Sequence, residues 1–463
     1  MAFFFLLSIL SLHLLNATAA TAAAAAAYTL HLSPITAVDR HDLFQKLKFH
    51  SSLSITRARH LKRPGNNLTF SPTTFDSQLP ILPQSYGGYS VSLSFGTPPQ
   101  SVDLIMDTGS SLVWLPCTKH YTCSKCNFNN LNPTKIPVFV PKLSSSAKII
   151  GCSNPKCGLI YGSDVVSICK KCITNCTQIC PPYMIAYGSG STSGLLMSDT
   201  LHLPGKKAAV DGFVAGCSMF STHQPSGIAG FGRRPESLPV QMGLTRFSYC
   251  LVSHKFDNTA KGSEMVIVSG SDSSKTRNVS YTPLINNSKA LNPAFLNYYY
   301  MGLRKITVGG RKVKIPHRLV TIGKNGDGGT IIDSGSTFTF MEHEVFLAVA
   351  AEFEKQMGDY RRASDVEKWS GLSPCFEIAD EESVLFPELV FHFKGGTKME
   401  LPLADYFSVV SENGAVCMTI VTDEISPAGN GGPSIILGNY QQQNFYVEYD
   451  LENQRLGFRK QIC

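Results

Sequence analysis

Asp103-Leu-Ile-Met-Asp107-Thr-Gly-Ser-Ser111 and, 226 residues further on, Gly329-Thr-Ile-Ile-Asp333-Ser-Gly-Ser-Thr337 are two versions of one unit. Each is a short apolar run, the pattern of a buried strand, ending in Asp-[Ser/Thr]-Gly-Ser. Each is followed downstream by a second apolar run ending in glycine: Gly227-Ile-Ala-Gly230-Phe-Gly after the first copy, Ile435-Ile-Leu-Gly438 after the second. A lone Asp-Thr-Gly is a common turn, with Asp capping and Gly supplying backbone freedom. Two copies with matching flanks and matching downstream glycines imply one supersecondary unit used twice, once in each of two lobes.

The surrounding texture agrees with a β protein. Tyr89-Ser-Val-Ser-Leu-Ser-Phe95 alternates large apolar and small polar residues at period two, then turns at Gly96-Thr-Pro-Pro99. Similar runs recur at 102–106, 212–217, 265–268, 303–308, 330–333, 415–421 and 445–449, most of them punctuated by Gly and Pro. The best helix is expected over 344–357, with Val345, Leu347, Val349 and Phe353 as its buried face. Of the 463 residues, 43% are hydrophobic and 16% charged, which excludes a disordered chain or a coiled coil.

The formal charge of +7 is uneven. Residues 1–80 hold Arg40, Lys46, Lys48, Arg57, Arg59, Lys62 and Arg63 against three acids, so the excess is largely N-terminal and does not imply nucleic acid. Phe3 to Leu15 is an apolar run of signal-peptide length followed by small residues, although no Lys or Arg precedes it; residues 1–27 are expected to be a signal peptide, with a retained signal anchor as the alternative. Residues 28–80 form a basic stretch with Leu43, Leu47 and Leu53 at helical spacing. Two alternatives stand for it: a mobile arm, or a pro-segment that fills an acidic cleft through its Lys and Arg. The two lobes are expected at 81–285 and 286–463. No further stretch has the length and apolarity of a membrane span, and the C-terminus has no hydrophobic tail, so no stable membrane anchor is expected.

Fourteen cysteines accompany this leader: Cys117, Cys123, Cys126, Cys152, Cys157, Cys169, Cys172, Cys176, Cys180, Cys217, Cys250, Cys375, Cys417 and Cys463. In a secretory chain they imply disulfides. Nine lie between Cys117 and Cys180, so at least one must pair outside that segment or stay free. Cys375 and Cys417, the only cysteines between Cys250 and Cys463, are the best single pairing. The run Cys169, Cys172, Cys176, Cys180 can also be drawn as a four-thiolate metal site, but the compartment favours disulfides and no metal or cofactor is expected. Sequons at Asn67, Asn175, Asn278 and Asn286 permit N-glycosylation.

If the two copies face each other, Asp107 and Asp333 meet at the bottom of a cleft, and two carboxylates that close share one proton. Gly109 and Gly335 let backbone N–H groups approach them, Ser110 and Ser336 can bond their outer oxygens, and Thr108 and Ser334 can cross-link the two loops. Such a pair can activate a water and protonate a leaving amine. Other hydrolytic chemistries lack their signatures: there is no Gly-x-Ser-x-Gly, no His-Glu-x-x-His and no Walker A sequence.

On these motifs the chain resembles the pepsin-type aspartic proteases, and within them the plant nepenthesin-like branch, over roughly residues 85–463. Trp114, seven residues after Asp107, matches the tryptophan behind the flap. Tyr187-Gly-Ser-Gly190 matches the flap hairpin, so that Tyr187, Gly188 and Trp114 are implied to contact substrate. Phe247-Ser-Tyr-Cys250-Leu, Ile436-Leu-Gly-Asn-Tyr-Gln-Gln-Gln-Asn444-Phe, the closing Tyr449-Asp450 and Gly457-Phe458, and the cysteine-rich insertion also match the plant branch. Nine cysteines stand there where the branch is expected to have seven, and Ser336 stands where it more often has threonine. The resemblance implies a mostly β, bilobal pepsin-like fold and a monomeric endopeptidase acting on proteins or peptides at acid pH. Its expected destination is the secretory pathway, the cell wall or apoplast rather than the vacuole. The alternative is a catalytically silent inhibitor or binding protein of the same fold.

Overall fold

A computed structural model of the chain describes residues 26–35, 43–62 and 88–463, the last stretch with gaps at 125, 127–135, 163–164, 166–168, 170–176, 189, 204–208, 225, 254–261, 271–275, 277, 288–289, 291, 379–383, 411–413 and 425–430. Asn67, Asn175, Cys172, Cys176 and the expected signal run therefore lie outside the described residues. Strand β1 (Ala26–Ile35) begins near the boundary expected for that signal.

The alternating stretch around Tyr89 is strand β2 (Gly88–Phe95), with Tyr89, Val91, Leu93 and Phe95 buried on one face. It pairs antiparallel with β3 (Gln100–Asp107), whose C-terminal residue is the first repeat aspartate. β3 in turn runs parallel to Gly227–Gly230, with Gly230 opposite Asp107. In the second half, Thr330–Ile332 runs parallel to Ile435–Leu437 in the corresponding way. The duplication in the sequence is thus a duplicated crossing of parallel strands. The two downstream glycines share one physical reason. A Cβ on Gly230 would fall 2.2 Å from the Ser111 carbonyl oxygen, and one on Gly438 would fall 2.5 Å from that of Thr337. Only glycine lets the strand pass this close to the active-site loop.

A broad antiparallel sheet joins the halves. Leu244–Cys250 pairs with Phe445–Asp450, which pairs with Arg455–Lys460, which pairs with Ser280–Ile285. Phe247 and Tyr449 stack across this sheet at 4.2 Å between ring centroids. Strand β1 lies between β2 and Ser263–Ser269, so residues 26–35 are full members of the same sheet.

The expected helix runs His343–Gln356 and buries Val345, Phe346, Val349, Ala350 and Phe353. Leu347 corrects the expectation: it is half exposed, because it lies about 200° around the helix from Val345 while Phe346 turns inward. Six disulfides join described cysteines: Cys117–Cys217, Cys123–Cys126, Cys152–Cys169, Cys157–Cys180, Cys250–Cys463 and Cys375–Cys417. Cys375 and Cys417 are thus joined, and Cys117 is the insertion cysteine that reaches outside its segment. Cys169 and Cys180 are each in a disulfide, which removes the four-thiolate metal alternative.

One core residue carries a stability prediction. Asp405 is fully buried, and neither carboxylate oxygen has a hydrogen-bond partner among the described residues. Burial pushes its pKa up to about 8, with Lys460 pulling weakly the other way. The folded chain holds this proton more tightly than the unfolded one, so stability is full in acid. It is lost as pH rises from the ordinary carboxylate range towards 8, at up to about 1.4 kcal/mol per pH unit. Asp405→Asn should flatten that loss and raise Tm at neutral pH while leaving it nearly unchanged at about pH 4. Melting curves across this range check it; parallel curves for the two proteins would refute it.

Candidate active site

The two Asp-[Ser/Thr]-Gly-Ser loops meet at the base of the cleft, and they are built alike. The Gly109 N–H donates to Asp107 Oδ1 at 2.9 Å and the Ser110 hydroxyl to Asp107 Oδ2 at 2.6 Å. The Gly335 N–H donates to Asp333 Oδ1 at 3.0 Å and the Ser336 hydroxyl to Asp333 Oδ2 at 2.6 Å. The loops are tied together beneath the carboxylates. The Thr108 N–H donates to Ser334 Oγ at 3.1 Å, and the Ser334 N–H donates to Thr108 Oγ1 at 2.9 Å. A Cβ on Gly109 would lie 2.6 Å from Asp333 Oδ1, and one on Gly335 would lie 2.5 Å from Asp107 Oδ1, so each glycine makes room for the opposite carboxylate.

Two supports were not singled out by sequence reasoning. Asn297 Nδ2 donates to the Gly109 carbonyl and Asn439 Nδ2 to the Ser334 carbonyl, both at 3.0 Å. Asn439 follows the repeat glycine Gly438 directly, a position from which its role could have been suspected; Asn297 has no such marker.

The flap is the hairpin of Tyr183–Ala186 with Ser191–His202, turning through Tyr187 and Gly190. The Trp114 indole N–H donates to the Tyr187 hydroxyl at 2.9 Å, joining the two residues named for this region. Gly188 lies against the backbone of Arg57: a Cβ there would fall 2.6 Å from the Arg57 Cα.

Arg57 belongs to helix α1 (Leu43–Lys62), which occupies the cleft. Of the two alternatives for the basic stretch, the described part is thus a docked helix. Leu47 and Ala58 are buried on it and Leu53 is half-buried. The Arg57 guanidinium bridges both carboxylates. Nη2 donates to Asp107 Oδ1 at 2.6 Å and to Asp333 Oδ1 at 3.1 Å, while Nε donates to Asp333 Oδ2 at 2.8 Å. Further along, Arg59 is bidentate on Asp423 and Lys62 pairs with Glu342.

These contacts set the charges. Burial opposes the Arg57 charge, but Asp107 and Asp333 together hold its pKa above the ordinary value. Burial pushes Asp107 upward against the pull of Arg57. Asp333 is as deeply buried, yet the two Arg57 bonds, Ser336 and Gly335 hold it below the ordinary carboxylate range. His60, one turn beyond Arg57, is lowered to about 4 by burial first and by the neighbouring Arg57 second, with Asp333 opposing. No group of three or more His, Cys, Asp or Glu side chains suited to a metal occurs among the described residues. What the site offers is a pair of carboxylates in matched hydrogen-bond cradles, roofed by a tyrosine hairpin.

Comparisons with known proteins agree with this construction. Residues 89–267 match the family model described as xylanase inhibitor N-terminal, and residues 298–460 match the one described as xylanase inhibitor C-terminal. A chain named as a probable aspartyl protease from Arabidopsis thaliana is 35% identical over 428 residues, covering 82% of this chain and 84% of its own. Aspartic proteinase nepenthesin-2 from Nepenthes gracilis is 34% identical over 385 residues, covering 81% of this chain and 78% of its own. Among solved structures, edgp superposes with a TM-score of 0.60 at 18% identity, covering 94% of this chain and 95% of that one. Soybean basic 7S globulin gives 0.57 at 19%, covering 80% and 92%; at such identities these two speak to the fold alone. The fold is bilobal and pepsin-like, and the chain belongs to the nepenthesin-like, atypical family of plant aspartic proteases.

Proposed function

We propose that this chain is a secreted aspartic endopeptidase made as a latent precursor, with Asp107 and Asp333 as its catalytic pair. The observation that carries the reading is the matched pair of carboxylate cradles, complete in every hydrogen bond from Gly109, Ser110, Gly335 and Ser336. In the open enzyme one carboxylate holds the shared proton. The ionised one takes a proton from a water between them, and the water attacks the scissile carbonyl while the protonated one donates to its oxygen. The roles then reverse to protonate the leaving amine. Tyr187 is steered by the Trp114 indole and closes over the bound peptide.

Latency is supported by Arg57, which stands where substrate and water must go. Release in acid is supported by the lowered Asp333 and His60, while the raised Asp107 works the other way. Asp333 is lowered in the docked state, so its contribution to docking is present at neutral pH and is lost as pH falls through its depressed pKa. His60 is lowered too, so docking weakens as pH falls from the ordinary histidine range towards about 4, where it acquires a charge beside Arg57. Purified precursor should therefore shorten at its N-terminus on acidification and then degrade a denatured protein, with pepstatin blocking the degradation. Shortening that proceeds equally at neutral pH would count against the acid release. Exposed sequons at Asn278 and Asn286 and the disulfides suit a secreted destination, for which the cell wall is preferred to the vacuole.

The second reading, a silent inhibitor or binding protein, is favoured by the matching family models, which are described as the two halves of a xylanase inhibitor. It would be the better one if the chain, freed of α1, cut no denatured protein at any acid pH.

A further inference from the structure

The last turn of α1 does more than plug the dyad. Lys62, itself buried, ends at the carboxylate of Glu342, which is also buried. Its ammonium lies 5.4 Å from the centroid of the Phe340 ring. A carboxylate at the end and an aromatic face along the wall form a site matched to a cationic side chain. The backbone is held there as well: the Tyr298 hydroxyl donates to the Leu61 carbonyl at 3.2 Å, and Gly432 lies against the Lys62 main chain. Nearby, Arg59 is bidentate on the buried carboxylate of Asp423, at 2.6 and 2.7 Å. Phe340 and Glu342 follow Asp333 on the same stretch of chain, and Phe340 pairs in the sheet with Ile436, two residues before the repeat glycine Gly438.

We infer that Glu342 and Phe340 form a specificity pocket for a lysine or arginine side chain of the substrate, with Asp423 as a second carboxylate beside it, and that α1 occupies it as a substrate mimic. The inference rests on the endopeptidase reading above. Among the described residues the cation that Glu342 meets comes from α1, the segment whose departure opens the cleft. Departure of α1 takes Lys62 away from Glu342, and a basic side chain of the substrate can take its place there. Lys62 lies five positions after Arg57, about 7.5 Å along a helix axis. An extended substrate covers that span in roughly two to three residues, which places the preferred basic side chain that far from the cut bond.

The test compares two internally quenched peptides that differ only in lysine against norleucine at the second and third residues from the scissile bond, with separate pairs for the two sides of it. They are offered to the acid-opened full-length chain at about pH 5, where a carboxylate of ordinary pKa is largely ionised. The lysine peptide on one side should have a kcat/KM about 10-fold or more above its norleucine partner, the scale expected for a charge-assisted bond to a buried group. Glu342→Gln should bring that ratio close to one, and Phe340→Leu should lower it by less. Ratios near one for the native chain on both sides, or a ratio unmoved by Glu342→Gln, would overturn the pocket. If neither peptide is cut at any acid pH, it is the endopeptidase reading that fails. Fluorescence anisotropy of the same labelled peptides on the Arg57→Ala chain then decides the pocket: about 10-fold tighter binding of the lysine peptide supports it, and equal binding overturns it.

Discussion

Asp107→Asn and Asp333→Asn should each abolish peptide cleavage to the limit of detection while leaving a folded protein. Asparagine keeps the size of the side chain: its Oδ1 can still accept from the Gly109 or Gly335 N–H, and its Nδ2 can donate to the Ser110 or Ser336 hydroxyl in place of the bond that hydroxyl gave. What it cannot do is hold and exchange the proton. General acid–base catalysis alone is worth about 10²–10⁴-fold, and water activation is lost with it. The two losses should be of similar size, because the carboxylates titrate as one unit and neither performs a step alone. Neither precursor should shorten by its own action in acid, whereas both should be trimmed when a small amount of active native enzyme is added. The variants differ in one respect. Asp333 accepts two of the three Arg57 bonds and Asp107 one, so α1 should loosen more in Asp333→Asn than in Asp107→Asn. Cleavage assays with the fluorogenic peptides and hydrogen exchange over residues 43–62 read the two effects separately. Near-normal cleavage by one folded variant and none by the other would rule out a two-carboxylate mechanism.

Much of this site was legible because its chemistry is local in sequence. Asp, Gly and Ser within four residues supply a carboxylate, the backbone donor that reaches it and the hydroxyl that orients it. The duplication of that tetrapeptide with its downstream glycine discloses the two halves before any contact is known. Trp114 and Tyr187 lie 73 residues apart and were placed by the resemblance; their hydrogen bond gives the buried indole N–H the partner it needs. The supports that sequence reasoning missed are non-local. Asn297 reaches a carbonyl 188 residues away with no local signature, and Asn439 one 105 residues away with only its place after Gly438 as a marker. The basic stretch was visible as composition and helical spacing, yet nothing in a list of seven cations distinguished Arg57 from the others. Its place between the carboxylates depends on how α1 packs beneath the flap. Leu347 is a different case: at about 200° from Val345 it shares no helical face with Val345 and Val349, so helix geometry alone turns it outward.

The position of Arg57 leads to the second large effect. Removing its guanidinium by Arg57→Ala leaves two buried carboxylates facing each other without the cation that neutralises them. Uncompensated buried charge of this kind costs about 3–5 kcal/mol, a loss that falls on the docked helix because the rest of the cleft is unchanged. The carboxylates can relieve it by taking up a proton, which is the catalytically competent state, so loss of the inhibitor and assembly of the active pair occur together. The Arg57→Ala precursor should therefore cut a peptide without the lag that native precursor shows at about pH 5, with an initial rate higher by 10-fold or more. Arg57→Lys should fall between the two. An ammonium can sit between the carboxylates as a point charge, but it cannot reproduce the planar fork that bonds Asp107 through Nη2 and Asp333 through Nε and Nη2. His60 sharpens the comparison. With Arg57 gone, its pKa loses the second-largest influence that holds it down, so any lag remaining in Arg57→Ala should end at higher pH than in the native chain. Progress curves recorded from about pH 3 to 7, with N-terminal sequencing of the products, measure lag and trimming in the same samples. An Arg57→Ala precursor with the native lag at every pH would show that latency resides elsewhere on α1, in the pairs of Arg59 with Asp423 and Lys62 with Glu342.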